Sequence, residues 1–504
     1  MLSLLIWMPV LGAVLLTVWP SKLSAVRLRQ IAFIIMAVVL GWTAVVGYAF
    51  TSSDASLQLR EELPWLEGLG LSYRLSVDGL SFPLLVLNSL LTWLALHATE
   101  AKIQRPRLYY ALILLLNAAV SGAFVAENLL LFFLFYELEL IPLYLLISIW
   151  GGPRRGYAAT KFLIYTAVSG VLLLGAFLGI TWLGGMASFD YQPLLTQTIP
   201  VVQQCWLLGA LLIGFGIKIP LVPFHTWLPD AHVEAGTPVS MLLAGVLLKL
   251  GTYGLIRYGM VLLPQGWETL APWLATWAVI TTLYGALMAI AQTDMKRMVA
   301  FSSIAHMGYI LLACAAATPL SLLGAIFQMV SHGLISALLF ALVGVVYQKT
   351  GTRNIEVLRG LLNPERGLPI IGSMMVLGVM ASAGIPGMVG FISEFLVFRG
   401  SFPIFPLQTL LSIIGTGLTA VYFLLLVNRV FFGRLSPQVT DLPPVTWGDR
   451  FPGLILTGLI VLFGLQPAWM LNWSQATTTV LAAPLIRQPL ITQATPVISP
   501  SSPL

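Results

Sequence analysis

The chain has 504 residues, of which 58% are hydrophobic and 9% charged, with a formal net charge of +6. A soluble domain carries roughly a quarter charged residues, so soluble and disordered classes are excluded and most side chains must face lipid or one another. The excess of basic residues then bears on topology and not on nucleic acid, because in a membrane protein it matters where they fall.

Apolar runs long enough to cross about 30 Å of hydrocarbon recur from Met1 to Trp473. The spans are predicted at about 2–20, 30–50, 78–98, 108–126, 128–150, 157–184, 205–228, 237–262, 270–292, 297–318, 321–346, 368–397, 406–431 and 452–472. The fold class read from them is an all-α polytopic membrane protein of about fourteen helices. One integral membrane domain covers about residues 1–482, and a Pro/Ser-rich tail covers about 483–504. The first run, Leu2 to Trp19, has no basic n-region and no small-residue cleavage site, so it is expected to be kept as a span.

Connections after odd-numbered spans carry Lys22, Arg27 and Arg29; Lys102, Arg105 and Arg107; Arg154, Arg155 and Lys161; Lys296 and Arg297; Lys349, Arg353, Arg359 and Arg366; and Arg429, Arg434 and Arg450. Those after even-numbered spans hold only Arg60, Arg74, Arg257 and Arg399. The positive-inside rule therefore puts the odd connections in the cytoplasm and both termini on the opposite side. The seventh connection, His225 to Glu234, is an exception with no lysine or arginine. That makes His225, Asp230, His232 and Glu234 candidates for a mouth where protons enter, against the plainer reading of helix capping and loop hydrogen bonding.

An ionisable group at mid-membrane costs several kcal/mol, so each one needs a partner, a wet cavity or a function. Glu137, Lys218, Lys249, His332 and Glu394 all fall inside apolar runs. Lys249 lies roughly 18 Å along its helix from Thr237, too deep for its stem to reach the interface. Glu137 and Glu139, two residues apart, should point to nearly opposite sides of a continuous helix, so only one is expected to face the pathway. Pro142 loosens that helix by removing a backbone donor. Ser331, Gly333 and Ser336 make the surroundings of His332 small and polar, and imidazole titrates in the range a proton relay needs. His306 sits nearer a helix end and ranks below it.

Two spans should be broken, one at Pro220 and Pro223 and the other at Pro386 among Gly384, Gly387 and Gly390, because such breaks expose backbone that lipid cannot satisfy. Ile219-Pro220 with Phe224 and Ile385-Pro386 with Phe391 recur five spans apart, the pattern of an internal repeat with its working site at the breaks. Cys205 and Cys314 are unpaired in spacing and read as inert thiols, and the spacing from His225 to His232 is not a zinc motif.

The strings YELELIPLYLLISIWGG, KIPLVPFHTWLPDAHVEAGTPVSMLLAGVLLKLGTYG, TDMKRMVAFSSIAHMGYI, QMVSHGLISALLF and GIPGMVGFISEF resemble the NuoM/NdhD-type antiporter-like subunit of complex I over nearly the whole chain. The doubled acid Glu137-Leu-Glu139 and HTWLPDAHVEA look like the photosynthetic NdhD branch. Tyr136 stands where much of the family has tryptophan. The resemblance implies two inverted five-helix repeats, about 108–262 and 270–431, each with a broken helix. It implies that Glu137 pairs with Lys218, and that protons pass along Lys249 and His332 to an outlet at Glu394. It further implies a proton-translocating subunit of an NAD(P)H/ferredoxin:quinone oxidoreductase, in a cyanobacterial thylakoid or plasma membrane, the carbon dioxide uptake variant included. Neighbouring antiporter-like subunits and lipids would be its partners. No cofactor or metal is expected in this chain, with quinone, flavin and iron–sulfur centres in partner subunits. The alternatives are a subunit of a multi-subunit Na+/H+ antiporter, and a scaffold whose buried charges only hold helices together.

Overall fold

The computed structural model describes residues 1–19, 23–100, 103–437 and 442–485. Lys22, Lys102 and the tail from residue 486 lie outside them. Its helices are α1 (Leu2–Val18), α2 (Ala25–Ala49), α3 (Phe82–His97), α4 (Pro106–Val125), α5 (Leu129–Leu138), α6 (Leu140–Trp150), α7 (Arg155–Leu183), α8 (Val201–Lys218), α9 (Trp227–Glu234) and α10 (Thr237–Met260). There follow α11 (Pro264–Ile290), α12 (Met295–Ala316), α13 (Pro319–Thr350), α14 (Pro369–Ser382), α15 (Val389–Ser401), α16 (Pro406–Val430), α17 (Trp447–Leu465) and α18 (Ala468–Ala482). Among the described residues, eleven helical segments, with α5 and α6 taken together, are long and apolar enough to cross a membrane, and α1, α3 and α14 are shorter apolar helices.

Burial sorts these helices into an inner and an outer set. The apolar windows of α10, α12 and α13 are wholly buried, whereas those of α2 and α17 are 28% buried. The inner helices are the ones that carry Lys249, His306 and His332. Small residues permit their contact: a Cβ on Gly333 would lie 2.7 Å from the Gly245 carbonyl oxygen, so α10 and α13 meet backbone to backbone there.

Both predicted breaks are present. At the first, Pro220 has no N–H for the Gly216 carbonyl, and Leu221 N–H takes its place at 2.7 Å. That frees the Ile217 carbonyl, which accepts from Trp227 Nε1 at 2.8 Å. The Val222 carbonyl likewise accepts from Trp277 Nε1. At the second, Gly384 and Gly387 adopt φ of +70° and +89°, a region open to glycine, on either side of Pro386.

Three features differ from expectation. Residues 51–77, read as a plain connection, contain an antiparallel hairpin of β1 (Gln58–Leu66) and β2 (Leu71–Val77). Its Glu61 accepts from the N–H groups of Leu2 at 2.6 Å and Ser3 at 3.1 Å, satisfying donors that α1 leaves open. The last predicted span, about 452–472, ends earlier, at Leu465, and residues 468–482 form the separate α18. Its Ser474 Oγ donates to the Gly79 carbonyl at 2.6 Å, so it is pinned to the turn before α3. The span at 128–150 is interrupted at Glu139. Pro142 explains the interruption, because it offers no N–H to the Leu138 carbonyl four residues back.

Candidate functional site

Lys218 ends α8 at the first break, 1% exposed, and its ammonium is ion-paired with the fully buried Glu139. The aromatic faces of Tyr136 and Phe162 lie 4.9 and 6.0 Å from the same nitrogen. This corrects the expected partner: Glu139, and not Glu137, holds the direct bond. Glu137 turns toward α7, where a Cβ on Gly170 would collide with its carboxylate, and its charge still acts on Lys218. The two-residue argument assumed a continuous helix. The interruption at Glu139 lets both carboxylates serve one lysine.

Lys249 is fully buried on α10. Its Nζ donates to the Ala244 carbonyl at 2.5 Å and lies 2.8 Å from His332 Nδ1. Ala244 belongs to a π-helical turn, Leu243–Leu247, and a second, Leu255–Met260, follows Lys249. Such widened turns recur at functional sites, and the apolar run of α10 does not disclose them. Snorkelling is excluded, since protein groups hold the amine inside.

His332 leads to His306, whose ring centroid is 5.7 Å away. His306 Nε2 lies 3.0 Å from Ser382 Oγ, at the second break, and Nδ1 lies 3.5 Å from Glu394 Oε1. Glu394 is 4% exposed and accepts from Thr416 Oγ1 at 3.0 Å. A cavity of about 10 Å³, room for about one water, lies among His306, Gln328, Ser331, His332, Ser382 and Glu394. Ser331 Oγ and Gln328 Oε1 are buried there without protein partners. The expectation that His306 lies near a helix end is corrected: it sits midway along α12 (Met295–Ala316), where it bridges His332 and Glu394.

The seventh connection divides by role. Asp230 is held by Lys161 at 2.8 Å and Arg297 at 3.4 Å, and Glu234 accepts from the Arg154 N–H at 2.8 Å. Both are clasps. His225 is 5% exposed, with its ring 4.9 Å from that of Tyr284. His232 is fully buried and stacks on Phe340, centroids 4.4 Å apart. The segment needs no base of its own because Lys161, Lys296, Arg297 and Arg353 reach it from neighbouring helices and connections. Cys205 and Cys314 are free, and no group of three or more His, Cys, Asp or Glu suited to a metal occurs among the described residues.

Residues 126–419, more than half of the chain, match the profile of the membrane domain described as NADH:quinone oxidoreductase/Mrp antiporter. The chain belongs to this antiporter-like membrane family. The matched stretch contains Glu137, Glu139, Lys218, Lys249, His306, His332 and Glu394. A family member named NAD(P)H-quinone oxidoreductase chain 4 2, from Thermosynechococcus vestitus, is 41% identical over 95% of this chain and 91% of its own length. The chain of the same name from Microcystis aeruginosa is 44% identical over 88% of this chain and 81% of its own. Among solved structures, a chain of respiratory complex I from Thermus thermophilus with bound NADH superposes with a TM-score of 0.87 at 26% identity, covering 96% of this chain and all of that one. A chain of the Mrp complex from Dietzia sp. DQ12-45-1b shares the fold, with a TM-score of 0.83 at 23% identity over 96% of this chain and 99% of its own.

Proposed function

We propose that this chain is the chain 4, or NuoM/NdhD-type, proton-translocating subunit of a complex I-like NAD(P)H/ferredoxin:quinone oxidoreductase. The observation that carries this reading is a buried row of titratable groups running from Glu139 and Lys218, with the half-buried Glu137 beside them at one broken helix, through Lys249, His332 and His306 to Glu394 beside the other. Each group can exist in two protonation states, and a charge moved at one end alters the proton affinity of the next. A shift of the Lys218 ammonium between Glu139 and Glu137 is the switch. With Lys218 drawn away, Lys249 releases its proton to His332, and His306 hands it to Glu394.

The three shorter apolar helices complete fourteen crossings, and residues 108–262 and 270–431 form the two inverted repeats. The face bearing Arg105, Arg154, Arg297 and Arg353 is cytoplasmic. The membrane is a cyanobacterial thylakoid or plasma membrane, and flavin, iron–sulfur and quinone sites belong to partner subunits, in the cyclic or the carbon dioxide uptake form of the complex. The test is electron-donor-driven acidification in proteoliposomes holding the whole complex, with and without sodium. The reading predicts acidification unchanged by sodium removal and lowered by this subunit's share in Glu394→Gln. Sodium-dependent proton movement would favour the Na+/H+ antiporter subunit instead.

A further inference from the structure

The row above needs a source of protons on the basic face, and the acids that the sequence offered for it, Asp230 and Glu234, are occupied as clasps. Two other groups are not. Lys296, in the first turn of α12, is 5% exposed, and its Nζ donates at 2.5 Å to the Ala235 carbonyl, just beyond the end of α9. Among the described residues no carboxylate forms an ion pair with it. The surrounding charges, Arg353, Asp294 and Glu234, are themselves engaged: Arg353 with Asp294 at 3.3 Å, and Glu234 at the Arg154 N–H. His232, three residues before Ala235, is fully buried, and neither ring nitrogen has a protein partner.

A buried imidazole with two open nitrogens goes against the rule that buried polar groups are satisfied, which points to transient partners. Its stacking on Phe340 holds the ring plane and leaves both nitrogens free at the edge. The charges of Lys296 and Lys249 both act on this ring, and His232 in turn acts on His332, so it lies electrically between the buried lysine of the basic face and the central one.

The geometry points to Lys296 and His232 as the entry relay that loads Lys249 from the basic face, an assignment that rests on the proton-translocating reading above. In the transfer, an N–H bond of the Lys296 ammonium breaks and, through water, a proton forms a bond with one nitrogen of neutral His232, which has no direct protein partner. The opposite nitrogen then releases a proton, through water, to the unprotonated amine of Lys249. Lys296, left neutral, regains a proton from water at the basic face, so one proton enters and one arrives with no other reactant. The Ala235 carbonyl positions the donor, and the short α9 ties donor to acceptor.

Arginine keeps the charge of Lys296 but cannot release its proton, and phenylalanine keeps the stack of His232 without a titratable nitrogen. The experiment measures protons moved per electron in intact complexes carrying Lys296→Arg, His232→Phe, His232→Ala with and without added imidazole, and Lys249→Met in parallel, with assembly checked on native gels. In both Lys296→Arg and His232→Phe the ratio should fall by the share this subunit contributes, as far as in Lys249→Met, and imidazole should restore His232→Ala. A purely structural role would not respond to imidazole. A native ratio in Lys296→Arg or His232→Phe, with the ratio lowered in Lys249→Met, overturns the relay and leaves the parent reading intact. Full pumping in Lys249→Met overturns the parent reading. If His232→Phe does not assemble, Lys296→Arg and the imidazole response decide.

Discussion

Replacing Glu139 by glutamine leaves the Lys218 ammonium buried without its carboxylate, in a site where the lysine is 1% exposed and its partner fully enclosed. Removing one member of a buried pair costs about 3–5 kcal/mol, because the other charge is left without compensation. Glu137 stays within electrostatic reach and offsets part of this, so Glu139→Gln should sit near about 3 kcal/mol. Glu137→Gln leaves the direct ion pair in place and should cost about 1 kcal/mol or less, the range of a screened or secondary pair. Replacing both partners by apolar side chains, Glu139→Leu with Lys218→Met, removes the charge problem and should be less destabilising than either single change. Denaturant unfolding of the detergent-solubilised complex, followed by a reporter in this subunit, measures the three. Equal costs for the two glutamates, or a double variant as unstable as the sum of its singles, would refute the assignment of Glu139 as direct partner.

Gly170→Ala puts a methyl group into the Glu137 carboxylate; proton pumping should fall while the Lys218–Glu139 pair persists, seen as loss of coupling in complexes of normal composition. Gly333→Ala pushes on the Gly245 carbonyl at 2.7 Å, and overpacking of this kind costs about 1–3 kcal/mol. The shift should lengthen the 2.8 Å contact of Lys249 with His332, visible by cryo-electron microscopy of the variant. Asp190, on the hairpin face, should make hairpin docking pH-dependent: burial alone would raise its pKa, but hydrogen bonds from Ser72, Asn128 and Ser188 and the Arg74 charge hold it below the usual value. Stability from a carboxylate lowered in this way is complete above its ordinary pKa of about 4 and lost as pH falls through the lowered one. Hydrogen exchange across residues 71–77 should accelerate below about pH 4 in the native chain and show no such transition in Asp190→Asn.

The buried charges and the helix breaks were legible because each contradicts its surroundings. A lysine, a glutamate or a proline inside an apolar run is conspicuous, and its chemistry points to its role. Geometry set by backbone departures was not legible. Pro142 was visible, but not that it would swing Glu139 onto Lys218. Nor did the apolar run around Lys249 disclose its two π-helical turns, because α10 is buried on every side and so has no apolar stripe whose phase a widened turn would shift. His306 was underrated because the sequence reading put it near a helix end; it lies midway along α12, where Ser382 and Glu394 come to it from the two sides of the second break. The hairpin escaped notice because Glu61, Glu62 and Pro64 interrupt the alternation expected of a strand. The absence of basic residues from the seventh connection made sense only in space, with Lys161, Lys296, Arg297 and Arg353 around it.

The central claim is that protons cross through Lys249. Its most direct test is the number of protons moved per electron by the intact complex carrying Lys249→Met, a side chain of similar volume that cannot titrate. The account predicts an assembled complex in which this ratio drops by the share this subunit contributes and coupled turnover falls with it. An assembled complex with the native ratio would contradict it.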